Sequence, residues 1–279
     1  MNTERNLHLG GAQFGKGYGK HINTPELSTF DLNSLLEYAL DNGVRQIDLA
    51  QNYESAVSNL SRTDYANEFK YTTKIQYEID AEGEILHSLR CDLELLGIVS
   101  YQALLIHNWA ALSTEVRIAA VKFIESLKRA SISHEVGISV YDTWEIDFVD
   151  WIPDTVQAPL NFYNREFLAN DIARSLKASG TKFVARSIFH QGLLLNPQFK
   201  VKFPELEDFI TFCKINNFSH IHGALSVYDT QEMFQAIVVG VVSTAQLEEI
   251  ITTEFSTRRE VQFPDSRFFD SVFRDPRKW

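Results

Sequence analysis

The sequence predicts an α/β protein, a closed (β/α)8 TIM barrel with a C-terminal extension laid against it. Three observations carry that expectation. The 279-residue chain is close to the size of one such barrel. Short apolar runs recur eight times, each followed by a stretch with helical spacing. No Gly-rich linker or change in composition divides the chain, so residues 1–279 read as a single domain.

The eight runs are 8–14, 44–50, 69–75, 102–108, 135–140, 155–160, 182–188 and 236–242. They are apolar on both faces, as parallel strands covered on two sides require. Between them, Leu32, Leu35, Leu36, Ala39 and Leu40 mark one amphipathic helix. Val116, Ala119, Ala120, Phe123, Ile124 and Leu127 mark another. Asp31 and Thr114 are the expected N-caps of these helices, since a short polar side chain accepts from free amides of the first turn. Gly43 is expected to stop the first helix as a left-handed residue. The long interval between 188 and 236 has room for two helices. The segment 255–279 carries Phe263, Phe268, Phe269, Phe273 and Trp279, which are expected to pack over the barrel.

Hydrophobic residues make up 44% of the chain and charged residues 23%, enough for a full core and against disorder. A net charge of -11 argues against a nucleic-acid binder or a protein of anionic membranes, both of which want a basic face. It leaves room for an anionic cofactor, which needs only a local nest of N–H groups. Cys91 and Cys213 are expected to be free thiols in a reducing compartment, and no CxxC or His-rich pattern suggests a metal. The N-terminal residues hold no apolar core of a signal segment, and no apolar run reaches ~18 residues. A cytoplasmic protein, monomeric like many barrels, is expected.

In such a barrel, chemistry lies where the strands end. The second run places Asp48 among apolar residues, with Tyr53 in the loop beyond. A buried carboxylate needs a partner. The third run delivers Lys74, and the fourth delivers His107, followed by Asn108 and Trp109. Each alone has an ordinary explanation: a solvated lysine, a hydrogen-bonded core histidine, a packing tyrosine. Together they solve one problem. A phenol gives up a proton readily only if its pKa, ordinarily ~10, is brought down. A nearby ammonium lowers it, a carboxylate holds that ammonium in place, and a histidine donates or accepts at the same oxygen.

These residues carry a resemblance to the aldo-keto reductase family. "IDLAQNY" resembles the family's Asp-Thr-Ala-x-x-Tyr motif, "YTTKI" its strand-three lysine and "LLIHNW" its strand-four histidine. "LGGAQFGKGYG" is similar to its first strand and cofactor-facing loop. "VGISVYD", "VQAPLNFYNR", "ARSIFHQGLLL" and "VVGVVSTAQLEEI" resemble strands five to eight, so the likeness covers about residues 7–252. The last pieces look most like bacterial members of sugar or polysaccharide pathways.

The resemblance implies an NAD(P)H-dependent reductase without a Rossmann domain, acting on a small carbonyl compound, an aldehyde, a ketone or a keto-sugar. It implies that Tyr53 protonates the oxygen, Asp48 and Lys74 tune it, and His107 orients the carbonyl. Ser139 and Gln157 match positions that hold the nicotinamide carboxamide, with Asn161 beside them. Arg186 and Ser187 fall where the family often has an aromatic stacked on the nicotinamide. Arg186 is therefore read as a planar stack, as a contact to a phosphate or an acidic substrate, or as a rim salt bridge.

In the last motif the strand ends at Gly240, and Ser243 with Gln246 fits the S-x-x-Q capping pattern. A helix N-terminus there offers amides to phosphate. Here the chain departs from the family's NADPH-dependent members, which carry Lys or Arg in this loop. None stands between Gly240 and Glu249, and Gln246 occupies the place of an expected arginine. Glu249 could accept from the adenine amino group, while Arg258 and Arg259 follow further on. NADPH is the expectation from family habit and NADH the alternative. A second departure is Glu54-Ser55-Ala56-Val57, where the family commonly has Gly and then Ser-Glu. Phe14, Tyr18, Trp109, Tyr141, Phe189 and His190 are candidate pocket walls. A cofactor-binding sensor, and a barrel enzyme that eliminates or epimerises sugar nucleotides, are the competing readings.

Overall fold

A computed structural model describes residues 5–15, 27–148, 150–256, 261–266 and 269–275. Eight strands are present: β1 (Leu7–Gly10), β2 (Gln46–Asp48), β3 (Lys70–Ile75), β4 (Tyr101–Ile106), β5 (Ser133–Ser139), β6 (Thr155–Pro159), β7 (Lys182–Arg186) and β8 (Ala236–Val239). They pair in chain order, all parallel, and β8 returns to β1 to close the barrel. All eight apolar runs therefore contain a strand. Most runs overshoot the strand at its C-terminal end, where the chain leaves the sheet to build loops. The first is the largest case: the strand stops at Gly10, and Gly11–Phe14 form a 3-10 turn.

Helices α1 (Thr29–Asp41), α2 (Ala56–Leu60), α3 (Glu82–Leu96) and α4 (Thr114–Arg129) follow β1 to β4 in turn. α1 buries Leu32, Leu35, Leu36 and Ala39, and α4 buries Ala120, Phe123, Ile124 and Leu127, so the helical spacing marks the faces turned to the barrel. The N-caps are Ser28 and Ser113, not Asp31 and Thr114. A cap residue must be extended, and ψ is 158° at Ser28 and 164° at Ser113, whereas Asp31 and Thr114 already lie inside the helices. Ser28 accepts from the Asp31 amide and donates its own hydroxyl to the Asp31 carboxylate. At the other end of α1, Gly43 has φ +78°, and the amides of Gly43 and Val44 reach back to Leu40 O and Ala39 O, closing a Schellman turn.

After β6 comes α5 (Asp171–Ala178). The long interval before β8 holds α6 (Leu206–Asn216) and α7 (His220–Asp229), preceded by two 3-10 turns. α8 (Thr244–Thr252) follows β8, and α9 (Ser271–Arg274) lies in the extension. There Phe263 stacks on Phe212 at 5.2 Å, while Phe269 and Phe273 pack edge-on to Tyr163 at 4.8 and 4.9 Å. The extension thus seals the loops that follow β6 and β7. Phe268 and Trp279, like Tyr18, Arg258 and Arg259, lie outside the described residues. Cys91 and Cys213 are both free thiols. Among the described residues no helix is long and apolar enough to cross a membrane.

The N-terminal end of the barrel is held by one carboxylate. Glu135 accepts from Gln102 at 2.8 Å, Thr155 at 2.7 Å and Lys182 at 2.6 Å, linking β4, β5, β6 and β7. Two residues along β5, Gly137 lies so close to β6 that a Cβ there would stand 1.7 Å from Thr155 O. Gly137→Ala is therefore expected to destabilise the protein by ~3 kcal/mol or more. Gly83→Ala, at a helical glycine with nothing within 4 Å, is expected to stabilise slightly. Thermal melts of the two variants beside the parent check both outcomes.

Candidate active site

Three successive strands carry their polar residues up one wall of the barrel. In register, Asp48 sits beside Thr72, and Lys74 beside Leu105. Side chains alternate along a strand, so Lys74 shares the face of Thr72, and His107 shares the face of Leu105. Asp48, Lys74 and His107 therefore climb two residues per strand on the inner side, as the stagger of a closed barrel dictates.

The first two are joined out of water. Lys74 Nζ donates to Asp48 Oδ2 at 2.5 Å and to Leu49 O at 2.7 Å, with both side chains buried. The other Asp48 oxygen accepts from Gln157 Nε2 at 2.7 Å. A buried ion pair is tolerable when its remaining lone pairs and protons are satisfied, and these bonds supply that. Tyr53 lies on the loop beyond β2, its amide bonded to Ala50 O, and Lys74 Nζ is 5.5 Å from its ring centroid. The left-handed position of this loop is Ser55, with φ 63°, just before α2.

The electrostatics differ from the expectation that Lys74 acidifies Tyr53. Burial pushes the phenol well above its usual value, and Asp48 pushes the same way. The opposing cation is Arg186. The Lys74 charge is directed at Asp48 instead, so Tyr53 stays a protonated phenol. His107 is pulled down to about 4 by burial, then by Lys74 and Arg186, so it stands neutral at ordinary pH. A neutral imidazole, a phenol that holds its proton and a compact ion pair can together grip and protonate an oxygen.

These groups open onto a cavity of about 480 Å³ at the C-terminal end of the strands, a size suited to a small ligand. Asp48, Tyr53, Lys74, His107, Arg186, Ser187, Gly240, Gln246 and Glu249 all line it. Ser139, Gln157 and Ser243 do not. Ser139 and Gln157 are paired neighbours on β5 and β6, both buried, and Ser139 Oγ and Gln157 Oε1 lack a hydrogen-bond partner. One free hydroxyl beside one free amide oxygen fits a carboxamide, which both accepts and donates. Asn161 is committed elsewhere: it accepts from the amides of Tyr163 and Asn164 and donates to Ser187 O. Ser243 caps α8, accepting from the Gln246 amide at 3.3 Å. The Gln246 side chain reaches back to the Val242 amide, one residue earlier than the usual reciprocal box.

Of the expected walls, Tyr141 and Phe189 line the cavity. Phe14, Trp109 and His190 are buried outside its lining. Trp109 donates to Glu145 O, and His190 bonds to Phe273 O at 2.9 Å. Gln13 and Gln191 also line the cavity, and a lone glutamine in a loop carries no sequence signal. The bond from Gln157 to Asp48 spans 109 residues and was equally invisible. The wall after β7 is built in an unusual backbone: Ser187, His190, Gln191 and Gly192 have φ of 62°, 50°, 52° and 83°. Left-handed non-glycine residues cost ~1–3 kcal/mol each. Among the described residues no group of three His, Cys, Asp or Glu side chains is placed to hold a metal.

The Aldo/keto reductase family model matches residues 6–259. No curated protein matches the sequence. Among solved structures, two candidate aldo-keto reductases from Pseudomonas aeruginosa superpose with TM-scores of 0.68 and 0.66 at 15% and 14% identity. Each comparison covers 90% of this chain and 90% or 89% of the other. An aldo/keto reductase from Brucella melitensis superposes with a TM-score of 0.62 at 18% identity, covering 90% of this chain and 88% of that one. At such identities the likeness is one of fold.

Lys74→Met leaves the Asp48 carboxylate buried without its counter-charge, and is expected to cost ~3–5 kcal/mol. Adding Asp48→Asn should recover part of that loss, which chemical denaturation of the single and double variants measures. His8, His107 and His190 are all held near 4 by burial, against ~6.5 when unfolded. Between those values the unfolded chain binds more protons, so stability falls as pH drops from about 6.5 towards 4. Melting temperatures across that window check this, and His107→Gln should flatten the slope.

Proposed function

Because the chain belongs to the aldo/keto reductase family, we propose that this oxidoreductase uses NAD(P)H to reduce an aldehyde or ketone to the alcohol. The observation that carries this reading is the meeting of Tyr53, His107 and the Asp48–Lys74 pair on one cavity. When bound, the reduced nicotinamide supplies the hydride. Ser139 and Gln157 would hold its carboxamide through their unpaired buried oxygens. The amides at the start of α8, beside Gly240, would face a phosphate, with Gln246 and Glu249 towards the adenosine end. The only lysine or arginine among the described lining residues are Lys74 and Arg186. A 2′-phosphate beside Glu249 would meet a carboxylate there and no described cation on α8, which favours NADH over the family's NADPH habit.

Tyr53 keeps its proton until an alkoxide forms beside it, because burial and Asp48 both oppose its ionisation. His107, neutral, donates an N–H to the carbonyl oxygen and orients it. Lys74 lies near the Tyr53 ring, ready to stabilise the phenolate left after proton transfer, while Asp48 and Gln157 keep the ammonium in place.

Tyr53→Phe is expected to lower kcat/KM for carbonyl reduction by ~10²–10⁴, while cofactor affinity is retained. Calorimetric titration with NADH and NADPH, followed by loss of nicotinamide absorbance against a panel of aldehydes and ketones, checks both parts. A Tyr53→Phe enzyme of undiminished rate, or a protein that binds neither nucleotide, contradicts the proposal.

A further inference from the structure

The charges around the cavity do not balance locally. Four ionisable side chains of fixed charge line it: Asp48, Lys74, Arg186 and Glu249. Asp48 and Lys74 neutralise one another at 2.5 Å. Glu249 belongs to α8 on the β8 side. Arg186, at the end of β7, forms no ion pair with any carboxylate among the described residues. Asp275 and Arg274 share with it the lining of a small recess outside the main cavity, yet Arg274 is paired with Glu166 and Asp275 forms no ion pair with Arg186.

The guanidinium is nonetheless held in place. Nη2 donates to Val140 O at 2.8 Å, and Nη1 reaches Ser187 Oγ at 3.3 Å. Its central carbon stands 3.8 Å from the centroid of the Tyr141 ring, so one face lies on an aromatic. The remaining N–H groups have no protein acceptor among the described residues. A half-buried planar cation, oriented by neutral neighbours and facing an open cavity, is suited to a carboxylate, which it can bind through two parallel bonds. Its field also reaches the two groups that act on the reacting oxygen, opposing protonation of His107 and favouring ionisation of Tyr53.

We infer that Arg186 is the seat of a carboxylate carried by the carbonyl substrate, so that the protein acts on oxo acids rather than neutral aldehydes or ketones. This rests on the reductase reading above and adds a substrate class to it. The rim salt bridge that the sequence left open for Arg186 has no partner among the described residues. Stacking on the nicotinamide would engage a face of the guanidinium and leave unused the N–H groups that Val140 and Ser187 do not take.

The test compares para-carboxybenzaldehyde with its methyl ester, which share the reacting aldehyde. The acid is expected to be favoured by about tenfold or more in kcat/KM. In Arg186→Met the acid-to-ester ratio should collapse to about one, and Arg186→Lys, which keeps the charge without the fork, should restore part of it. Calorimetric titration of the wild-type protein with benzoate and benzamide, in the presence and absence of oxidised cofactor, gives a second readout that needs neither turnover nor a folded variant. Benzoate should bind and benzamide should not. Equal rates on acid and ester, or equal binding of benzoate and benzamide, overturn the inference while leaving the reductase reading intact. So does an Arg186→Met enzyme that weakens nucleotide binding and leaves the ratio unchanged, which assigns the guanidinium to the cofactor. Selective benzoate binding that is lost in Arg186→Met, in a protein that reduces no carbonyl, upholds the anion seat and removes the reductase reading.

Discussion

A carboxylate and an ammonium 2.5 Å apart, both withdrawn from water, set the conditions that the surrounding barrel must meet. Neither ion is tolerable there alone, and the pair is tolerable only if its other bonding capacity is filled. The barrel fills it from two directions. Leu49 turns its carbonyl to Lys74 at the end of β2, and Gln157 crosses from β6 to the free oxygen of Asp48. Residues on opposite sides of the closed sheet therefore converge on one ion pair, and closure of the barrel is what lets them do so. The price of this compactness is reach: the ammonium is directed at Asp48, and Tyr53 meets the low dielectric with its proton on.

The barrel interior carries a second polar centre at the other end. Glu135 gathers donors from β4, β6 and β7 near the strand starts. The two centres use the same chemistry, a carboxylate with several donors, for different ends. At the closed end it stitches neighbouring strands together. At the open end the same bonding leaves Tyr53, His107 and Arg186 lining the cavity. The polarity of the fold, with loops of variable shape at the strand ends, separates the two tasks.

The architecture was legible in the sequence because strands buried on both faces and amphipathic helices leave strong periodic marks. All eight apolar runs contain strands, and the long interval before the last does hold two helices. Ends were less legible. Asp31 and Thr114 look like caps because they are as able to cap as Ser28 and Ser113 upstream, and the choice is made by backbone angle, which residue type does not encode. At the candidate site, Asp48, Lys74 and His107 were readable because the barrel repeats at fixed register, so position along a run translates into depth. Gln157 as a ligand of Asp48, and Gln13 and Gln191 in the lining, were not readable. Their placement comes from loop paths and contacts across the barrel, which no local pattern announces.

The loop from 187 to 192 sustains three non-glycine residues in left-handed backbone, and such a conformation survives only where its surroundings impose it. Part of that imposition comes from a distant piece of chain: His190 is tied to the carbonyl of Phe273, whose ring closes on His190 and Tyr163. The segment 269–275 thus acts as a latch on a sprung wall. Neither His190 nor Phe273 lines the cavity, so the backbone of that wall is held in part by residues that lie outside the ligand space.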